Sequence, residues 1–186
     1  MSNYYNAFEM SPVPTPSVDA VAAPEPFRGI YGMPMFVIVP TRDLAASKRF
    51  WRDALGFFNL FAIPGSLTHL RRWAFQDVLL VPAAAQADTD TDIDTDTDID
   101  AAPTASLSFA CVLSEIESIA AACESMRPGC VKEPRATPWN TVDLEITTPE
   151  RLRVIFTAAK PFDPASQEAR NLAGIGIVGP EETPDA

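Results

Sequence analysis

The chain is poor in the side chains that most often carry chemistry. It has a single histidine, His69, and three cysteines, Cys111, Cys123 and Cys130, in 186 residues. An odd number of cysteines without CxxC spacing excludes a disulfide framework and a zinc knuckle. They read as reduced thiols, packed as small core residues in a reducing compartment. Basic residues are also short: 14 Lys and Arg stand against 25 Asp and Glu, for a net charge of −11. A phosphate-binding surface needs clustered cations, so nucleic acid is excluded as a partner. The one arginine-dense stretch, Arg71-Arg72, is too short to make a basic patch. No apolar run reaches the ~20 residues that cross a bilayer, and the first residues lack the basic and apolar regions of a secretory signal. The expectation is a cytoplasmic chain with no membrane partner. A Ser-His-Asp elbow, a P-loop and a dinucleotide fingerprint are absent as well.

What is present is hydrocarbon, with 47% apolar residues, enough for a sizeable core in one medium domain or two small ones. Residues 1–29 form a Pro-rich tail, read as disordered because Pro12, Pro14, Pro16, Pro24 and Pro26 interrupt any helix. Strands are expected at 34–39, 57–63, 68–75 and 78–81, where β-branched and apolar residues lie between turn signals such as Pro64-Gly65-Ser66 and Gln76-Asp77. A helix is expected over 44–55, with Thr41 or Asp43 as its cap and Gly56 as its stop. Residues 88–100 are an Asp-Thr-Asp-Thr-Asp-Ile hexapeptide written twice and closed by Asp100. Like charges repel, so this run reads as an extended linker. Calcium loops need a glycine turn and a bidentate Glu, and it has neither. The pattern then recurs: a strand over 107–113, a helix capped by Ser114 and ended by Gly129, and strands over 141–147 and 152–158. A further short strand is expected near 130–132. Asp43-Leu44 corresponds to Glu115-Ile116 at an offset of 72 residues, which implies a duplicated module. The modules span 33–82 and 105–160 of a domain covering 30–160, separated by the linker 83–104. Residues 161–186 read as a flexible tail.

The segment VPTRDLAASKRFWRDALGF at residues 39–57 resembles the DLxxSxxFWxxxLGF opening of the glyoxalase / bleomycin-resistance (vicinal-oxygen-chelate) superfamily. Pro138-Trp139 and Thr148-Pro149 resemble its closing segment, with Thr148 in place of the usual Asp and Arg151 in place of the usual Gly. The resemblance covers roughly residues 33–160. It implies an α+β fold of two βαβββ modules whose curved mixed sheets form a cleft. Relatives hold a divalent metal there with four side chains. Laid onto this chain, those positions fall at or near Phe36, Leu80, Ser108 and Ile155, or at Val37, Val81, Phe109 and Phe156 in a register shifted by one. Neither set offers converging nitrogen or carboxylate donors, and His69 alone cannot replace them. No metal and no other cofactor is therefore expected. The bleomycin-resistance branch also lacks the metal and binds a drug in a groove between two subunits. The resemblance thus implies a homodimer that sequesters a small molecule, an aromatic or cationic antibiotic being one candidate.

The candidate ligand-binding residues are Phe36, His69, Arg71, Trp73, Phe75, Trp139, Asp143, Glu145 and Ile155. Trp73 and Phe75, read on one strand face, either stack on a planar ligand or serve as core or interface aromatics. Trp139 precedes a strand, where the family often closes the cleft mouth. Asp143 and Glu145 alternate with apolar neighbours, so both carboxylates share one face. They can pair a cationic ligand, act as acid and base, or form an ordinary solvated face. Arg71 and Arg72 point opposite ways; one can meet a ligand carboxylate or bridge to Asp143 or Glu145. His69 is either a hydrogen-bonded residue or a base. The alternative to binding is a metal-free enzyme, a lyase, isomerase or dioxygenase-like protein, using a carboxylate or His69 on a small organic substrate.

Overall fold

The computed structural model describes residues 4–5, 25–31, 35–83 and 105–176. Most of the Pro-rich tail, the acidic linker beyond Ala83 and the last ten residues lie outside the described residues. Two short strands, β1 (Tyr4–Tyr5) and β2 (Ile30–Tyr31), pair in parallel, so backbone pairing occurs at the start of the stretch read as disordered. The first module then runs β3 (Val37–Thr41), α1 (Leu44–Asp53), β4 (Phe58–Ile63), β5 (Leu67–Arg72) and β6 (Gln76–Pro82). The second runs β7 (Ala105–Cys111), α2 (Ile116–Met126), β8 (Arg135–Ala136), β9 (Thr141–Thr147) and β10 (Leu152–Ala159). Each builds a four-stranded mixed sheet in the same order, β3-β6-β5-β4 and β7-β10-β9-β8, and the first and last strands of each module pair in parallel. The two helices start 72 residues apart, at Leu44 and Ile116, as the internal repeat predicts. The architecture is the α+β pair of βαβββ modules expected from the sequence.

Local chemistry accounts for the elements. Asp43 Oδ1 accepts from the amides of Ala45 and Ala46 at 3.0 and 2.9 Å, which satisfies two orphan donors at the start of α1. Thr41 turns instead to Ser47, Oγ to Oγ at 2.6 Å. Gly56 follows the helix at φ +74, in the left-handed region that suits glycine. The second helix is entered through a 3-10 turn, Leu113–Glu115, and its N-cap position is Glu115 rather than Ser114.

Three expectations need correction. The hairpin between β5 and β6 does not turn at Gln76-Asp77. It turns over Trp73, Ala74 and Phe75, with Trp73 at φ +52 and Phe75 at φ +60. In the observed register Arg71 lies directly opposite Asp77, and the strand position of Asp77 brings the two charges together. Near 130–132 there is a single bridge, Val131 to Ile146, and the short strand is β8 instead. Within the tail read as flexible, a helix α3 forms over Gln167–Gly174, with Ser166 Oγ capping the Ala169 amide at 3.0 Å.

One continuous core joins the modules. Trp51, fully buried, meets Phe57 and Phe109 edge-on at ring-centroid distances of 5.2 and 6.5 Å, and its indole N–H donates to Glu150 of the second module at 3.1 Å. Cys111, Cys123 and Cys130 are all buried, and burial pushes the Cys111 and Cys123 thiols up to about 12 and Cys130 to about 11, so they act as packing groups. Arg72 is the polar rivet. Its Nη2 donates to Glu115 at 2.7 Å and its Nη1 to the Ala110 carbonyl at 2.5 Å, both across the module boundary. The same guanidinium lies 4.5 Å from the Trp73 ring centroid and 5.0 Å from that of Phe156. Removing it leaves a carboxylate partly buried without its cation. Arg72→Met is therefore expected to cost about 3 kcal/mol in denaturant unfolding, and a loss below half that value would show that Arg72 does not hold the modules together.

Candidate functional site

Alternation along the strands divides the first sheet. Val39, Leu70, Val78 and Leu80 face α1 and are buried. The opposite face carries Ile38, Leu79 and His69, neighbours across β3, β6 and β5. A register shift between Asn59 and Phe61 in β4 changes which residues join them. Phe58 lies opposite Arg71 and Phe61 opposite His69, so two aromatics three residues apart reach the same face. Phe36 and Phe61 each meet the His69 ring edge-on at 5.1 Å. Phe36, Ile38, Phe61 and Ile63 remain 38%, 62%, 47% and 52% exposed. The first sheet thus buries one side as core and leaves rings and aliphatic side chains exposed on the other.

Beneath these rings lies a buried polar group that the sequence did not suggest as a unit. Asp77 Oδ1 lies 2.6 Å from Arg71 Nε and 2.9 Å from His69 Nε2, and Arg71 Nη2 donates to Oδ2 at 3.3 Å. All three side chains are nearly inaccessible. Arg71 Nη1 turns the other way and donates to the backbone carbonyls of Phe27 and Gly29 at 2.9 and 2.7 Å. The Phe27 amide donates to the Trp73 carbonyl at 3.0 Å, and the Arg28 guanidinium sits 4.8 Å above the Phe58 ring. The chain's own residues 27–29 therefore lie across the Arg71 corner of the open face. Asp77 was read as a turn residue and residues 27–29 as disordered tail, so neither was a candidate. The parity of Asp77 with Leu79 was the one sequence signal available.

The second sheet differs. Its face away from α2 presents Asp143, Glu145, Ile155 and Thr157, with Ile155 opposite both Ser108 and Glu145. The carboxylates do not pair with Arg71 or Arg72. Glu145 bridges Lys132 at 2.5 Å and Arg153 at 2.7 Å. Asp143 Oδ1 accepts from the hydroxyls of Thr157 and Thr141 at 3.1 and 3.3 Å, with Arg135 at 4.0 Å. Burial raises the Glu145 pKa, but the hydrogen bonds from Lys132 and Arg153 outweigh it and leave the group below its ordinary value of 4.5. A proton donor near neutrality needs the opposite shift.

The remaining candidates are dispersed. Trp73 and Phe75 do not share a strand face. Trp73 is buried against Arg72 at the module junction, while Phe75 is exposed and lines a hollow of about 320 Å³ with Met35, Val37, Asp77, Ser108 and Phe109. Trp139 is exposed in the turn before β9, a turn held by α3 through Asn171 Nδ2 donating to the Pro138 carbonyl at 3.1 Å. The next residue, Asn140, is left-handed at φ +63, as is Arg151, which stands where the resemblance has Gly. Of the four metal positions of the resemblance, Leu80 is buried on the α1 side while Phe36 lies on the open side, so they do not converge. Among the described residues no group of three or more His, Cys, Asp or Glu is placed to hold a metal ion.

No family model and no curated protein sequence matches the chain. Solved structures do. An integron cassette protein from the mobile metagenome of a Halifax Harbour sewage outfall is 23% identical, with 68% of this chain and 98% of that one covered, at a TM-score of 0.48. A lactoylglutathione lyase from Agrobacterium tumefaciens is 20% identical over 68% and 93%, also at 0.48. A bleomycin resistance determinant encoded on the transposon Tn5 is 15% identical over 69% and 99%, at 0.44. Likeness at this level reaches neither activity nor ligand.

The paired state of Glu145 has a measurable consequence. With its folded pKa lowered, its ion pairs stabilise the fold above the unfolded value of 4.5 and lose that contribution as pH falls through the folded value. Glu145→Gln is expected to be less stable than the parent at pH 7, with the gap closing below pH 4.5 in urea titrations across this range. A gap that widens with acid would mean the pairs do not form.

Proposed function

We propose that the chain is a metal-independent small-molecule binding protein of the bleomycin-resistance type, working in the cytoplasm as a homodimer, with the open face of the first sheet as its ligand wall. The observation that supports this is that face itself. Phe36, Ile38, Phe61 and Ile63 put hydrocarbon and rings into solvent on a sheet whose other side is already the core. Exposed apolar area of this kind marks an interaction surface. The open face carries Ile38, Leu79 and Phe61 in place of converging nitrogen or carboxylate donors, which supports metal independence. The cationic-ligand reading for Asp143 and Glu145 is weaker than it was from sequence, because Lys132, Arg135 and Arg153 already face those carboxylates. Sequestration of an antibiotic with a planar or aliphatic body fits this wall; a second copy would supply the opposing one.

A second reading has one observation in its favour. The carboxylate of Asp77 orients the His69 imidazole, an arrangement that positions a general base. His69 is nevertheless only 4% exposed and flanked by Phe36 and Phe61, so a substrate reaches it only if those rings move.

A thermal-shift screen against planar antibiotics and against divalent zinc, nickel and manganese tests the binding reading and its metal independence. An organic ligand at a hundred times its Kd is expected to add about 2.7 kcal/mol, and metals alone producing that shift would overturn metal independence. Ile38→Lys, at an exposed position, should change stability by less than about 0.5 kcal/mol while abolishing the ligand shift. Sedimentation should give the mass of two chains; a monomer at micromolar concentration removes the dimer from the reading.

A further inference from the structure

We propose that the outer edge of Arg71 is a receptor for a ligand carboxylate, that residues 27–29 now occupy it, and that they leave when such a ligand binds. The inference rests on the binding reading above and names the chemistry of its ligand. Two backbone carbonyl oxygens, from Phe27 and Gly29, converge on the single nitrogen Nη1. A ligand carboxylate also offers oxygen acceptors and can take the place of these carbonyls on Nη1. The opposite edge is occupied: Nε and Nη2 are spent on Asp77, whose Oδ1 also meets His69. The ion pair therefore directs its positive end toward the strap and its negative end inward, so a ligand approaching Nη1 meets a cation rather than the Asp77 carboxylate.

The exchange is favourable because neutral acceptors give way to a charged one. The donor is a guanidinium in both states, and a carboxylate sets a full negative charge against it where the backbone carbonyls set only dipoles. The displaced segment is held in part by a backbone hydrogen bond to the Trp73 carbonyl and by Arg28 lying over Phe58, and Arg28 is solvent-exposed. The same open face continues from Phe58 and Arg71 to Phe61, Phe36 and Ile38, which can hold an apolar body attached to the carboxylate. The matching ligand class is an apolar or aromatic acid, and the strap is its intramolecular competitor.

Trypsin reports the strap directly, because it cuts after Arg28, a bond closed to protease while the flanking carbonyls are bound. With the full chain, 2-naphthoate is the probe and neutral 2-naphthamide its control; cleavage of the Arg28–Gly29 bond is followed by mass spectrometry. The expected result is saturable acceleration by naphthoate of about fivefold or more, with little effect of the amide. No acceleration up to millimolar naphthoate, or equal acceleration by the amide, overturns the proposal. Naphthoate that raises the unfolding temperature while leaving this cleavage unchanged overturns the strap exchange and leaves the binding reading standing. Phe27→Ala removes the ring that lies 5.8 Å from the Arg71 guanidinium and loosens the strap while leaving the Arg71 side chain in place; it should raise both basal cleavage and naphthoate affinity, since apparent affinity scales with the open fraction. Faster cleavage at unchanged affinity would show that strap and ligand do not compete.

Discussion

Two adjacent arginines in the middle of a sheet set the terms for the rest of this molecule. Strand geometry sends Arg71 and Arg72 to opposite faces, and both are almost completely buried. A buried guanidinium without partners is far too costly to keep, so each one dictates what surrounds it. Arg72 reaches toward the helix side and claims Glu115 and the Ala110 carbonyl, which fixes the second module against the first. Arg71 reaches toward the open side and claims Asp77, which fixes the register of β5 on β6 and pushes the hairpin turn onto Trp73 and Phe75 despite their left-handed backbone. The cost of placing bulky residues at positive φ is of order 1–3 kcal/mol each. A misregistered hairpin would leave Arg71 and Asp77 unpaired in the interior, which costs about 3–5 kcal/mol and offsets that strain.

From this follows an asymmetry between two modules that share one topology. Both sheets bury one side against a helix, and the core is continuous through Trp51, Phe57, Phe109 and Phe156. Their other sides diverge. The first module leaves Phe36, Ile38, Phe61 and Ile63 open above the Arg71, Asp77 and His69 cluster. The second leaves a lattice of ion pairs and hydroxyls, with Glu145 between Lys132 and Arg153. Duplication supplies the frame, and each copy then carries different chemistry on it. The apolar wall suits a hydrocarbon body, while the paired charges of the other wall are already satisfied among themselves.

Much of the frame was legible in the sequence because local signals agreed with one another. Asp43 before a periodic helix, Gly56 after it, and the same pattern 72 residues on named both helices. Alternation over Val142, Asp143, Leu144, Glu145 and Ile146 correctly placed both carboxylates on one side of β9. The site was less legible, for reasons that can be located. The shift at Asn59 and Phe61 breaks the period of two, so Phe61 could not be assigned to the His69 face from its position. Asp77 looked like a turn residue because polarity there mimics a loop, when its partner was an arginine six residues earlier. Trp73 and Phe75 looked alternate only while they were thought to lie on a strand.

The sequence by itself determined most of the elements, their order and the repeated pattern, because capping and periodicity act over a few residues and are written there. Tertiary structure alone decided who pairs with whom. Arg71 meeting Asp77 and not Asp143, Arg72 meeting Glu115 and not Glu145, and residues 27–29 lying over the Arg71 corner all depend on register and on distant segments coming together. A buried charge takes whichever partner the fold brings within about 3 Å, and that choice has no local signature along the chain.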